Sequence, residues 1–189
     1  MNPIGLFPMG FFVRYIIMKV SQLVPEDYNP YYKTYIDALG GVTLNDALKN
    51  GLEEIKKLLS TIPDDKLSFR YADGKWTIAE VLLHIIDTER VFQYRALCFS
   101  RNDKALFPGF DQDAYVENSN AAKRTKESIL QEFIAVRTST IALFQSFDEN
   151  DLQKRGVASN SIMSVAAAGF IISGHLKHHQ KILVERYLI

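Results

Sequence analysis

The sequence predicts an all-α fold, a four-helix bundle, and three observations carry the prediction. Four long stretches place apolar residues at three- and four-residue steps, their ends carry helix start or stop signals, and no stretch alternates apolar and polar residues as a half-buried strand would. With 189 residues, 47% of them hydrophobic, the chain is large enough for one domain with a substantial core. No internal repeat, low-complexity tract or domain boundary divides it.

The first 17 residues read as an N-terminal extension upstream of a start at Met18. They are apolar, but Pro8 and Gly10 interrupt the run and Arg14 charges it. They lack a basic leader and a small-residue cleavage site, and fall short of the ~20 residues needed to span a bilayer. The single domain is therefore expected over 18–189.

After an aromatic lead-in, Pro25 to Ile36, that packs tyrosines against the bundle, the doublet Gly40-Gly41 breaks the chain. The first long helix is read over 44–61, from Leu44, Ala47, Leu48, Leu52, Ile55, Leu58 and Leu59, and stops before Pro63. The second runs from Ile78 to about Ser100. Its start is a capping box, Thr77-Ile78-Ala79-Glu80, in which the hydroxyl and the carboxylate each satisfy a free backbone N–H of the first turn. Trp76 precedes the box and reads as a hydrophobic staple. Residues 101–124 form a long connection expected to cover a site or host a short helix. The third helix begins near Thr125 and reaches Phe147, Asp148 to Gly156 is a polar connector, and the fourth, capped by Asn160-Ser161 or Ser164, runs nearly to the end.

Charge and cysteine usage narrow the function. Lys plus Arg and Asp plus Glu balance at 22 each, and the basic residues are dispersed, so no footprint for a nucleic-acid backbone is present. No run is long enough for a membrane span. The lone Cys98 falls in an apolar helical stretch as a buried free thiol, which suits a reducing, cytoplasmic setting. Phosphate-binding glycine loops, nucleophile motifs and paired cysteines are absent.

The chemistry concentrates in histidine. Three of the four histidines fall in Gly174-His175-Leu176-Lys177-His178-His179-Gln180. On a helix, His175 and His179 lie one turn apart on one side, about 6 Å along the axis. His84, beside the buried face of the second helix, is the candidate third imidazole. Three neutral imidazoles suit zinc or nickel and leave a position open for water or substrate. The competing reading is of core histidines bonded to neighbours, and a lone H-x-x-x-H pair does not decide between the two. His178 is offset from the pair and reads as a surface residue. The zincin base is missing, since Leu176 follows His175; Asp87, one turn after His84, is the nearest carboxylate and the candidate general base, unless it is an orienting or solvated group. Glu89, Arg90, Arg95 and Arg137 read first as interhelical ion pairs and only second as substrate anchors.

Several separated blocks, in order, resemble one family. Lys75-Trp76-Thr77-Ile78-Ala79-Glu80-Val81-Leu82-Leu83-His84-Ile85-Ile86-Asp87, then Glu89-Arg90 and Arg95, then Phe107-Pro108-Gly109-Phe110-Asp111-Gln112-Asp113, then Gly174-His175 and His178-His179, are similar to the DinB/YfiT-like superfamily. The resemblance runs from about Met18 to Leu188. It implies an up-down-down-up bundle with short accessory helices, a metal site on His84, His175 and His179, and a homodimer. Members include metal-dependent thiol transferases and an isomerase that use a low-molecular-weight thiol, while others are labelled metal-dependent hydrolases. The expectation is thus a metalloenzyme acting on a small-molecule substrate by thiol transfer or hydrolysis. Its rival is a non-catalytic bundle that binds a small ligand or protein partner and whose histidines are structural.

Overall fold

The computed structural model describes residues 17–188, so the expected extension lies outside the described residues except for Ile17. The helices are α1 (Lys33–Asp37), α2 (Leu44–Thr61), α3 (Ile78–Ser100), α4 (Gln112–Glu117), α5 (Lys126–Gln145), α6 (Glu149–Gln153) and α7 (Val165–Ile182), the last continued by a π-helical turn, Leu183–Tyr187. Four of them are long and form the bundle. Each of these begins at a Thr or Ser whose hydroxyl accepts from a backbone N–H three residues on: Thr43, Thr77, Thr125 and Ser164.

Going round the bundle the order is α2, α5, α3, α7, which puts α2 diagonal to α3 and α5 diagonal to α7. Residue pairs fix the directions. Glu89 bonds Arg137 and Gln93 bonds Ser139, so positions rise together along α3 and α5, which are parallel. A Cβ placed on Gly169 would lie 2.8 Å from Leu44 Cδ1, and one on Gly51 would lie 2.9 Å from Leu176 Cδ2, so α2 and α7 are parallel as well. Trp76 O, before α3, accepts from the Tyr187 hydroxyl after α7 at 2.8 Å, so that pair is antiparallel. The bundle is up-down-down-up, and the long link between the two parallel central helices follows from having to return the chain to the starting end.

α7 is the element the others surround. Its first twelve residues, Val165 to Leu176, are all buried, which is why its sequence shows an apolar run rather than a stripe. Ala166, Ala167, Ala168 and Gly169 keep it thin, and at Gly169 a side chain would meet Phe144 and Leu44. The apolar core falls into two clusters. One gathers Leu44, Leu48, Phe92, Phe99, Phe144, Phe147 and Phe170; the other gathers Ile55, Leu59, Ile62, Ile78, Leu82, Ile129, Phe133 and Leu183. Each fully buried Leu, Ile or Phe contributes roughly 1.5–3 kcal/mol. Between the clusters lies a layer of buried polar residues that includes His84, Glu89, Arg137 and His175.

The expectation of no strand is corrected. β1 (Leu106–Phe107), β2 (Arg155–Ala158) and β3 (Ser161–Ser164) form a sheet in that order, β1 parallel to β2 and β2 antiparallel to β3. The hairpin turn is Ser159-Asn160, both with positive φ (52° and 58°), so Asn160-Ser161 is a turn and Ser164 alone caps α7. Strands of two to four residues are too short to display alternation. The connection over 101–124 holds β1 and α4, and the polar connector before β2 holds α6. No helix among the described residues is long and apolar enough to cross a membrane.

Candidate metal centre

His84 sits in the second turn of α3, directly after the first turn, which the capping box fixes. Thr77 N–H donates to Glu80 Oε2 at 2.6 Å, and Glu80 N–H donates to Thr77 Oγ1 at 3.2 Å. His175 and His179 project from α7 across from it. His84 Nε2 and His175 Nε2 are 3.0 Å apart, as are His179 Nε2 and His175 Nε2, and one nitrogen from each ring falls within 4.8 Å of the others. The three rings meet edge to face with centroids 4.5–4.9 Å apart.

Two features pack this cluster tightly. Gly174 carries no side chain where the backbone of Tyr35 presses in, so α1 comes down onto α7 and sets the Tyr35 ring against His175 and His178, at 5.6 and 5.0 Å. On the other side the Trp76 ring lies 4.8 Å from His84, so this residue walls the cluster. Burial pushes all three imidazoles down, His84 to about 4 and His179 to about 3, the neighbouring rings adding to burial for His175 and His179. They are neutral at physiological pH. Burial also pushes the Tyr35 hydroxyl well above its ordinary value, aided by a hydrogen bond with Tyr31.

A test of fit comes from the hydrogen-bonding capacity of the rings. A neutral imidazole nitrogen offers either one N–H or one lone pair. His175 Nε2 faces two partners at 3.0 Å, and can donate to one or accept from one, so three neutral rings cannot satisfy both contacts. Protonation would supply the missing proton, but burial opposes it. A cation accepts all three lone pairs at once: ligands at ~2.0–2.1 Å in tetrahedral arrangement stand about 3.3 Å apart, close to the two 3.0 Å contacts that His175 Nε2 makes. The donor set fits a borderline divalent ion. His179 Nδ1 is buried without a hydrogen-bond partner, so this ring lacks the outer brace that ligating histidines usually have.

Not every expected residue joins the cluster. Asp87 lies 3.5 Å from Arg90 and is not among the residues that line the neighbouring cavity; burial raises its pKa, more than Arg90 lowers it. His178 stays half-buried beside Tyr35. Glu89 and Arg137 form the expected interhelical pair, two bonds of 2.8 Å, and Arg90 reaches Glu132 at 2.6 Å. Arg95 departs from its reading: among the described residues no carboxylate is within ion-pair distance of it. Instead its Nη2 donates to Pro108 O at 2.9 Å and to Ser159 Oγ at 3.2 Å.

A cavity of about 320 Å³ opens from the cluster. His84 and His175 line it, as do Arg95 and Ser159, and Gly109, Phe110 and Gln112 from the long connection line it too. Thr88 also lines it and was not singled out in the sequence. The available signal was spacing, since Thr88 and Arg95 follow His84 by four and eleven residues on one face of α3.

Residues 47–183 match a family model described as the DinB superfamily. A protein of Geobacillus thermodenitrificans, named as a candidate metal-dependent hydrolase, is 22% identical over 135 residues, which is 70% of this chain and 76% of that one. A similarly named protein of Oceanobacillus iheyensis is 23% identical over 64% of this chain and 70% of its own. Among solved structures, YfiT from Bacillus subtilis, described as a probable metal-dependent hydrolase with an unusual four-helix bundle topology, superposes with a TM-score of 0.66 at 18% identity, covering 75% of this chain and 82% of that one. A mycothiol-dependent maleylpyruvate isomerase superposes with a TM-score of 0.62 at 9% identity, covering 78% and 62%. At these identities the two structures bear on the fold.

Proposed function

Because the chain belongs to the DinB superfamily, we propose that it is a metal-dependent enzyme in which His84, His175 and His179 hold one divalent ion, zinc or nickel, at the base of the cavity. The observation that carries this reading is the convergence of three Nε2 atoms whose mutual contacts neutral imidazoles cannot all satisfy. The names of the Geobacillus and Oceanobacillus relatives agree with it.

An ion held by three imidazoles supplies Lewis-acid chemistry, lowering the pKa of a thiol or water beside it toward neutrality. The residues of the chain do the rest. Burial keeps the three rings neutral and available as ligands, Trp76 and Tyr35 pack against them from two sides, and Gly109, Phe110 and Gln112 line the cavity. Between the two reactions expected of such a site, thiol transfer is preferred over hydrolysis, on the thiol named for the isomerase of like fold. Among the described residues no carboxylate lines the cavity, and a thiolate needs no general base during attack, whereas hydrolysis is served by one. The test is to load the protein with zinc or nickel and follow loss of free thiol in a panel of low-molecular-weight thiols and electrophiles, beside ester hydrolysis. Thiol consumption that chelator abolishes and His175→Ala removes is expected; activity indifferent to both contradicts the proposal.

A further inference from the structure

Two arginines of the described chain are almost fully buried, and they are treated differently. Arg137 meets Glu89 through two bonds of 2.8 Å. Arg95, 2% exposed, meets only neutral groups among the described residues: Pro108 O, Ser159 Oγ, the Phe92 ring with its centroid 5.1 Å away, and Tyr32, whose hydroxyl burial pushes up and Arg95 pulls down. Neutral acceptors orient a guanidinium but do not cancel its charge, and a buried charge without a counter-ion is costly.

A second, independent observation lies one step along the same helix face. Thr88 is 4% exposed and its Oγ1 has no hydrogen-bond partner, and Thr88 lines the same cavity as Arg95. His84, Thr88, Phe92 and Arg95 succeed one another at steps of four, four and three, and all four line it. From the first to the last the helix rises about 16 Å, and the arginine side chain leans back toward the helix N-terminus, into that span. The remaining wall is largely aromatic, with Tyr31, Tyr32 and Phe110.

We infer that this cavity takes a small organic acid, with its carboxylate on Arg95, a polar atom of its chain on the Thr88 hydroxyl, and its far end at the histidines. Arg95 is the one lysine or arginine among the lining residues, which suits a monoanion; a phosphate dianion is ordinarily met by several cations. The guanidinium fork matches the two oxygens of a carboxylate. What happens at the histidine end rests on the proposed metal chemistry, but the anchor itself does not.

The experiment is therefore done on metal-stripped protein, so that no acid can bind through an ion. Calorimetric titrations compare 3-phenylpropionate and 4-phenylbutyrate with their methyl esters and with 2-phenylethyl phosphate. The acids are expected to bind, the esters at least about tenfold more weakly, and Arg95→Gln to lose at least about tenfold for the acids while leaving the weak ester binding in place. Arg95→Lys recovers part of the loss, and Thr88→Val weakens binding to a lesser degree. Ester binding equal to acid binding, tighter binding of the phosphate, or no binding of either acid overturns the inference. If Arg95→Gln fails to fold, the acid and ester comparison on the native chain decides it. Acid binding in a protein that takes up no metal sinks the metal reading and leaves this one standing.

Discussion

Two buried polar clusters share the middle layer of the bundle, and they have opposite logic. Glu89 and Arg137 face each other across α3 and α5 with a fork of two 2.8 Å bonds, and Arg137 Nη1 donates on to Leu48 O at 3.1 Å. Gly51 makes this reach possible, because a Cβ there would collide with the guanidinium. That cluster is closed: charge is matched and the arginine is bonded on both sides. The histidine cluster, between α3 and α7, holds three like groups that compete for one proton position, next to a cavity with an unpaired cation and an unbonded hydroxyl. The closed cluster holds helices together, and the open one is complete only with something added. The contrast separates architecture from chemistry within one polar layer.

Breaking the closed cluster should give the largest effect on stability. Arg137→Met leaves Glu89 buried without a counter-ion and is expected to lower the unfolding free energy by about 3–5 kcal/mol in denaturant titration. The double variant Glu89→Leu/Arg137→Met should recover most of this, and the metal content per folded molecule should stay as in the native chain. Loss of metal binding in the double variant would show that the two clusters are not separate.

The open cluster should answer to ligand instead. With free zinc at about 100 times its Kd, chelation is expected to lower stability by about 2.7 kcal/mol. In His175→Ala the same chelation should change nothing. Thr77→Ala, which removes the hydroxyl of the capping box, is expected to cost about 1 kcal/mol and to weaken metal binding, since the first turn of α3 positions His84. The stability of the metal-free protein and its metal affinity should fall together in this variant.

The smallest effect lies at the surface. Burial pushes the Glu132 carboxyl up, but hydrogen bonds from Arg90 and Arg124 outweigh it and hold the pKa below the ordinary 4.5. A depressed carboxylate stabilises the fold above its unfolded pKa, and that contribution is lost as pH falls through the folded value. Glu132→Gln should therefore cost up to about 1 kcal/mol at neutral pH and nothing at low pH. Metal binding at neutral pH should be untouched.

Helix boundaries were legible where a local signal marks them, the capping box at Thr77, Pro63 as a stop and apolar residues at helical steps, and the structure adds Thr43 and Thr125 as caps. His175 and His179 were legible as candidates through spacing, His84 through its place beside the buried face of a helix and the family resemblance, and the packing of α7 against α3 shows that His84 meets His175. The sheet was hidden because its turn, Ser159-Asn160, lacks the glycine that marks most two-residue hairpins. Arg95 was read as half of an ion pair, since sequence shows that a cation is present and not that its partner is missing. Thr88 offered only its four-residue spacing from His84, because an unsatisfied hydroxyl is a property of its neighbours.

The central claim is that the three imidazoles form one metal site. The most direct measurement is metal content by mass spectrometry of tag-free protein equilibrated with zinc or nickel and then desalted, beside His84→Ala prepared identically. About one ion per chain is expected in the native protein and essentially none in the folded variant. A native chain that retains no metal, or a variant that retains as much as the native one, contradicts the account.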